Sequence, residues 1–92
     1  MGTFHNGLGD LHGVTVVVDT HGSRVYVGRC WVEQPDGIVL VDADVHDEGP
    51  GLPSKVEYLQ KAARFGVWKK LDQVKVPAEE VASVRLLGAI GV

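Results

Sequence analysis

The densest group of chemically capable side chains is Asp42-Ala43-Asp44-Val45-His46. Alternate residues of a β-strand point to opposite faces, so a strand here would present Asp42, Asp44 and His46 together. Two carboxylates and an imidazole are suitable ligands for a divalent ion such as Zn²⁺ or Mn²⁺, with water in the open positions. Two interpretations follow. One is a divalent-metal site, in a binding protein or an enzyme, and the other is a solvated strand face that runs into an acidic loop.

A second candidate group interleaves cations with aromatic rings. Its members are Tyr58, Lys61, Arg64, Phe65, Trp68, Lys69 and Lys70. Aromatic rings stack on unpaired bases and cations hold phosphates, so this segment predicts a surface for single-stranded nucleic acid. A helical wheel, however, puts Tyr58 and Phe65 on the half that packs against the protein. The alternative is therefore a core contribution with a solvated charged face.

Nucleophilic chemistry is not indicated. The single cysteine, Cys30, lies next to Trp31 in a predicted strand, where the role of a small buried hydrophobic residue is expected rather than that of a nucleophile. His5, His12 and His21 are scattered and are interpreted as surface residues. No Ser-His-Asp set or phosphate-binding glycine loop is found by spacing. We therefore expect a non-enzymatic protein with no catalytic residue and no cofactor.

Composition sets the class of protein and its charge. A chain of 92 residues, 45% hydrophobic and 23% charged, has the length and composition of one folded domain. The net charge of −3 is unevenly distributed: residues 1–53 hold two basic and eight acidic side chains, whereas residues 54–92 hold seven basic and four acidic ones. This balance argues against a protein whose main task is to neutralise many phosphates.

The chain carries no sign of a membrane span or a secretion signal. Its aliphatic runs are far shorter than the roughly 18 residues that a span needs, and Met1–Asp10 lacks a basic start and an apolar stretch. A single cysteine cannot form an internal disulfide, so a cytoplasmic location is expected. Residues 1–10 are glycine-rich and predict a flexible N-terminal arm before a single domain over residues 11–92.

Three strands are predicted in the first half of the chain. β-branched residues favour a strand over Val14–Thr20, and further strands follow over Arg24–Glu33 and Ile38–Val45. The turn residues His21-Gly22-Ser23 and Gln34-Pro35-Asp36-Gly37 join them into an antiparallel meander. Gly28, in the middle of the second strand, predicts a bulge or a sharp bend.

An inserted helix is predicted over Lys55–Phe65, within an insertion that spans residues 46–70. Ser54 and Glu57 have the spacing of a capping box, and Gly66 is placed to end the helix. Beyond it, Val67–Val76 is predicted as strand in part, residues 78–80 as one helical turn, and Val81–Ile90 as the last strand. Five strands and one helix predict a mainly β fold: one strongly bent antiparallel sheet that closes as a small SH3-like barrel.

Two stretches of the sequence resemble the Sm-like family of small β-barrels. The first comprises Leu11-His12-Gly13-Val14-Thr15-Val16, Gly22, Gly28 and Ile38-Val39-Leu40-Val41-Asp42, and the second is Val81-Ala82-Ser83-Val84-Arg85-Leu86-Leu87-Gly88. The resemblance implies a bent five-stranded barrel, ring-shaped oligomers formed by pairing of edge strands, and binding of single-stranded RNA in the ring. Residues 76–84 also resemble the closing segment of PRC-type barrels, which leaves that fold as an alternative.

The sequence departs from the family where the family binds RNA. The family uses an Asp and an Asn in the loop between the second and third strands, and this loop, Glu33-Gln34-Pro35-Asp36-Gly37, contains no Asn. The family's second pocket element is an Arg-Gly pair, whereas Arg85 is followed by Leu86. Binding of RNA would therefore have weak sequence preference.

Three functional hypotheses result. The first is a non-enzymatic barrel that self-associates, in a ring if the resemblance holds, and serves as an interaction module. The second is a single-stranded RNA-binding protein that uses Arg85, Lys69, Lys70 and Trp68. The third is the divalent-metal protein or enzyme with Asp42, Asp44 and His46 as ligands.

Overall fold

The computed structural model describes residues 12–90 of the chain. The predicted N-terminal arm over residues 1–10 lies outside the described residues. In chain order the elements are strands β1 (Thr15–Thr20), β2 (Arg24–Gln34) and β3 (Gly37–Asp47), helix α1 (Lys55–Phe65), and strands β4 (Leu71–Pro77) and β5 (Val81–Leu86). Short 3₁₀ turns cover Ala78–Glu80 and Leu87–Ala89. The predicted last strand is therefore shorter than expected, because the chain turns after Leu86.

Helix α1 begins and ends at the predicted residues. The Ser54 hydroxyl accepts a hydrogen bond from the Glu57 amide at 3.2 Å, and the Glu57 carboxylate accepts one from the Ser54 amide at 3.2 Å. This capping box satisfies two backbone donors that would otherwise lack partners. At the other end Gly66 has φ 80°, and its N–H donates to the Ala62 carbonyl at 2.8 Å. None of the helices within residues 12–90 has the length and apolar character to cross a membrane.

All five strands form one antiparallel sheet in the order β4-β3-β2-β1-β5. Opposite Gly28, between the Val27–Asp44 and Arg29–Val41 pairs, β3 carries one extra residue. The bulge is at Asp42, which adopts φ 51°, a left-handed conformation that Asp tolerates better than most residues. The irregularity predicted at Gly28 is thus confirmed, with the extra residue on the partner strand.

The two faces of the sheet carry separate apolar clusters. The first contains Val16, Val18, Tyr26, Cys30, Ile38, Leu40, Ala43 and Val76, with Val81 and Val84 packed against it. It draws on both β4 and β5, which a flat sheet would hold about 19 Å apart, so the sheet curves over this cluster. The second cluster contains Val17, Val25 and Val27, and α1 covers it with Leu59 and Ala62.

The predicted strong bend follows from this packing, but the predicted closure does not. In residues 12–90 the sheet ends at β4 on one side and at β5 on the other, without pairing between them. The structure therefore confirms a mainly β fold of five antiparallel strands with one inserted helix. A closed barrel is not confirmed.

Candidate functional site

The two edges of the sheet are the first candidate surface. Strand β4 is paired only with β3, and β5 only with β1, among the described strands. An edge strand presents backbone N–H and C=O groups that another strand can pair with. The edges differ in sequence, so joining one copy's β4 to the next copy's β5 would be a head-to-tail contact.

Hydrogen bonding to β3 shows which β4 groups are available. Pro77 is opposite Gly37, and the next amide, that of Ala78, donates to the Asp36 carbonyl at 2.9 Å. Hydrogen-bonded and non-hydrogen-bonded pairs alternate along an antiparallel ladder, so Lys75, like Pro77, occupies a non-hydrogen-bonded position. The backbone N–H and C=O of Lys75 therefore point away from β3.

An apolar groove of about 280 Å³ runs beside β5. Its wall on the β2–β3 side is formed by Glu33, Gln34, Gly37 and Ile38, and its other wall by Ala78 and residues 81–84. The groove lies next to β5, which has no strand partner on its other edge among residues 12–90. This combination is what strand addition to a sheet edge requires.

Two loops that adjoin at one end of the sheet are acidic. The Ala78–Asp36 hydrogen bond joins the β2–β3 turn to the β4–β5 connection, which also carries Glu79 and Glu80. In the Sm-like resemblance the β2–β3 loop belongs to the RNA pocket. Arg85, offered as the basic member of that pocket, lies five residues beyond Glu80, opposite Val17 on β5. The carboxylates of these two loops disfavour a bound phosphate, and Arg85 lies on β5 rather than in either loop.

The predicted RNA-contacting lysines are engaged by aspartates. Lys69 Nζ lies 3.4 Å from Asp42 and 3.3 Å from Asp72, and Lys70 Nζ lies 3.2 Å from Asp44. Hydrogen bonds from Arg29 and then Lys69 hold the pKa of Asp42 below its usual value. Both lysines precede β4, whereas Arg85 is on the strand at the opposite edge of the sheet. The structure therefore does not gather Lys69, Lys70 and Arg85 on adjacent strands.

The predicted metal ligands are likewise bound to other groups. Asp42 pairs with Arg29 at 2.5 Å, and Asp44 accepts the Tyr58 hydroxyl at 2.6 Å. His46 Nε2 lies 2.7 Å from the Pro53 carbonyl, which only accepts, so this nitrogen carries a proton and has no lone pair for a metal. Within residues 12–90, no three His, Cys, Asp or Glu side chains are grouped to hold a metal ion. The metal site stays a prediction, and residues 12–90 do not supply a set of ligands for it.

Asp44 and His46 instead fasten the insertion to the sheet. The His46 ring stacks on Tyr58 of α1, with ring centroids 4.6 Å apart and planes 8° from parallel. Asp44 is 4% exposed; one carboxylate oxygen accepts the Tyr58 hydroxyl, and the other lies 3.2 Å from the Lys70 ammonium as an ion pair. At the start of α1, Lys55 Nζ is 2.7 Å from Asp19 and donates to the Gly22 carbonyl at 2.6 Å. These contacts fix α1 against β3 and the β1–β2 turn.

Removing the Tyr58 hydroxyl should change the dependence of stability on pH. Burial, and then the hydrogen bond to Asp44, raise the pKa of Tyr58 well above its ordinary value of about 10. The folded protein therefore holds this proton more tightly than the unfolded chain does, and the associated stability is lost as pH rises above about 10. We expect Tyr58→Phe to cost about 1–2 kcal/mol of unfolding free energy at neutral pH. Urea unfolding of both proteins should show the difference shrinking above pH 10; a constant difference would contradict this assignment.

Two large aromatic side chains near the end of α1 are exposed. Phe65 is 76% and Trp68 is 85% exposed. The prediction that Phe65 packs against the protein is wrong, because the sheet contacts only a narrow stripe of α1, whose buried residues are Leu59 and Ala62. Val56, on the opposite flank of the stripe, is 64% exposed for the same reason.

Comparisons with known proteins identify the fold. No protein-family model and no curated protein sequence matches the chain. Among solved structures, an Sm protein from Pyrococcus abyssii in complex with a uridine heptamer matches with a TM-score of 0.60 and 13% identity, over 89% of this chain and 94% of that one. Chains from two crystal structures of the NatC complex also match. One complex, bound to CoA, gives a TM-score of 0.57 and 18% identity over 86% of this chain and 82% of that one. The other complex, bound to Gag peptide and CoA, gives a TM-score of 0.58 and 19% identity over 86% of this chain and 89% of that one.

These likenesses confirm the predicted Sm-like fold. At this level of identity they concern the fold alone.

Proposed function

We propose that this Sm-like chain is a non-enzymatic interaction module that self-associates through its two sheet edges. Strand β4 of one copy pairs with β5 of the next and lies in the apolar groove beside β5. The observation that carries the proposal is the open sheet: β4 and β5 both present an unpaired edge among the described strands, and the β5 edge adjoins a groove of about 280 Å³.

The geometry of the edges favours a closed assembly. Because β4 and β5 are different surfaces, each copy uses one of each, and every added copy again presents one free β4 and one free β5. Because the sheet is strongly curved, each copy is rotated relative to the copy before it. The series therefore closes as a ring and leaves no free edge.

The mass of the protein in solution tests this proposal. Light scattering coupled to gel filtration, at micromolar protein, should give a single species whose mass is an integer multiple of the 9.9 kDa chain. Dilution should shift this species cooperatively to the monomer. A mass of 9.9 kDa at every micromolar concentration would show that the edges do not pair.

Single-stranded RNA binding stays a prediction of the resemblance and of the uridine heptamer bound to the Pyrococcus abyssii neighbour. Lys69 and Lys70 already form ion pairs with aspartates, and the adjoining loops carry the carboxylates of Asp36, Glu79 and Glu80. We therefore expect weak binding of RNA without base preference. Labelled oligo-uridine and oligo-adenine should bind equally, with dissociation constants above about 10 μM at low salt, and should weaken with a log–log salt slope of roughly 0.7 per phosphate contact. Tight binding with a preference for uridine would contradict this expectation.

A further inference from the structure

A patch at the C-terminal end of α1 combines exposed aromatic rings with cations that form no ion pair within residues 12–90. We call it the aromatic–basic patch; it comprises Lys61, Arg64 and Phe65 of α1, and the exposed Trp68 three residues further along the chain. The guanidinium carbon of Arg64 lies 5.8 Å from the centroid of the Phe65 ring. Lys61, Arg64 and Phe65 also line a surface depression of about 300 Å³, together with Glu57 and Gln60.

The two cations of the patch differ from most other cations of the protein in forming no ion pair within residues 12–90. Of the nine Lys and Arg side chains, six form ion pairs with aspartates, and the three that form none among residues 12–90 are Lys61, Arg64 and Arg85. Two of those three therefore belong to the patch. The cations that the fold uses for its own contacts lie elsewhere, and those of the patch remain available to a partner.

Exposed aromatic rings beside such cations are a recognisable binding surface. Phe65 and Trp68 keep three-quarters or more of their surface in water, which is costly for large apolar side chains. Tryptophan and arginine are the residue types most enriched among those that carry protein-binding energy. Burying both rings under a partner recovers the apolar contribution, and carboxylates of the partner complement the two cations.

We infer that the aromatic–basic patch docks an acidic segment of a partner protein that inserts aromatic or aliphatic side chains against Phe65 and Trp68. Two cations are too few to hold a phosphate backbone firmly, since each contact neutralises one phosphate and the chain carries a net charge of −3. Apolar burial with a few carboxylates is the chemistry that the patch matches best. The patch precedes β4 and involves neither sheet edge, so docking is compatible with self-association but does not require it.

Selection from a library of random peptides displayed on phage tests this inference. The target is the full chain, and the counter-target is the Phe65→Ser, Trp68→Ser double variant, in which both changes are at exposed positions. We expect the enriched peptides to be rich in Asp and Glu and to contain Trp, Phe or Leu. A synthetic copy of an enriched peptide should bind the double variant at least about tenfold more weakly, a loss of roughly 1.4 kcal/mol.

A charge-reversed variant keeps the inference testable if the Phe65→Ser, Trp68→Ser variant does not fold. Lys61→Glu, Arg64→Glu keeps both rings and should also weaken the peptide at least tenfold, while thermal melting shows that each variant remains folded. Enriched peptides without acidic residues, or equal binding to either folded variant, would overturn the inference. So would a library that yields no specific binder.

Two further measurements identify other occupants of the patch. With Trp31→Phe, Trp68 is the only tryptophan, and acrylamide should quench its fluorescence nearly as strongly as that of free tryptophan. Shielding of Trp68 in the free protein would mean that residues 1–11 or a second copy cover the patch, and would overturn the inference. Oligo-uridine that competes with the peptide and binds more tightly would assign the patch to nucleic acid instead.

Discussion

Lys75→Pro is expected to convert the protein into a 9.9 kDa monomer. The N–H of Lys75 points away from β3, so proline at this position removes a donor from the free edge and leaves the β3–β4 hydrogen bonds intact. The proline ring also projects where the next copy's β5 would approach. Edge strands tolerate proline at such positions, and we expect the variant to keep its fold.

A matched control separates the backbone effect from the loss of the side chain. Lys75 forms an ion pair with Asp36 at 2.8 Å, which substitution by either proline or alanine removes. Lys75→Ala removes the same ion pair but keeps the outward N–H, so it should assemble like the parent chain. Light scattering measures the masses, and far-ultraviolet circular dichroism checks the fold. Equal masses for the proline and alanine variants would exclude β4 from the interface.

Gly28→Ala is expected to destabilise the chain by about 1–3 kcal/mol, the range for overpacking of a core. A Cβ atom at position 28 would lie 2.8 Å from the Ala43 Cβ and 3.2 Å from the Val41 carbonyl oxygen. Both neighbours belong to the bulged part of β3, which packs tightly because Ala43 is fully buried. The β2–β3 pair must therefore move apart to admit one methyl group.

Gly22→Ala is the control for this effect. Apart from Gly22 itself and its chain neighbours, no described atom lies within 4 Å of a Cβ atom placed at Gly22, so the substitution should change stability by less than about 0.5 kcal/mol. Urea unfolding at one protein concentration compares the two variants, because assembly makes the midpoint depend on concentration. Equal midpoints would show that the bulge yields to an added methyl group without cost.

Local sequence signals were sufficient for most of the fold. The capping box at Ser54 and the glycine at position 66 predicted both ends of α1, and Gly28 predicted the irregularity in the sheet. These features depend on residues a few positions apart, or on the absence of a side chain. The β1–β2–β3 meander follows from short antiparallel connections in the same way, whereas the pairing of β4 with β3 and of β5 with β1 depends on residues distant in the chain.

The candidate sites depend on distant residues and were less predictable. The metal hypothesis assumed regular alternation from Asp42 to His46, and the bulge at Asp42 interrupts it. The ion pairs of Lys69 with Asp42 and of Lys70 with Asp44 join residues more than 25 positions apart, and no local pattern indicates them.

The aromatic–basic patch was obscured for a related reason. A helical wheel divides α1 into halves, but the width of the packed stripe depends on the sheet, which contacts Leu59 and Ala62 and leaves Phe65 outside. The sequence signal for this patch was an aromatic residue at the edge of the apolar half of the helix, with cations beside it.

Mixing two variants, each blocked at a different edge, tests head-to-tail assembly most directly. Lys75→Pro blocks β4, and Ala82→Arg places a long charged side chain in the groove beside β5, where Ala82 is exposed. Each variant alone should be a monomer of 9.9 kDa. An equimolar mixture should form a heterodimer of about 20 kDa and nothing larger, because only one intact β4 and one intact β5 remain to pair. A mixture that stays monomeric, or either variant alone forming a dimer, would contradict pairing of β4 with β5.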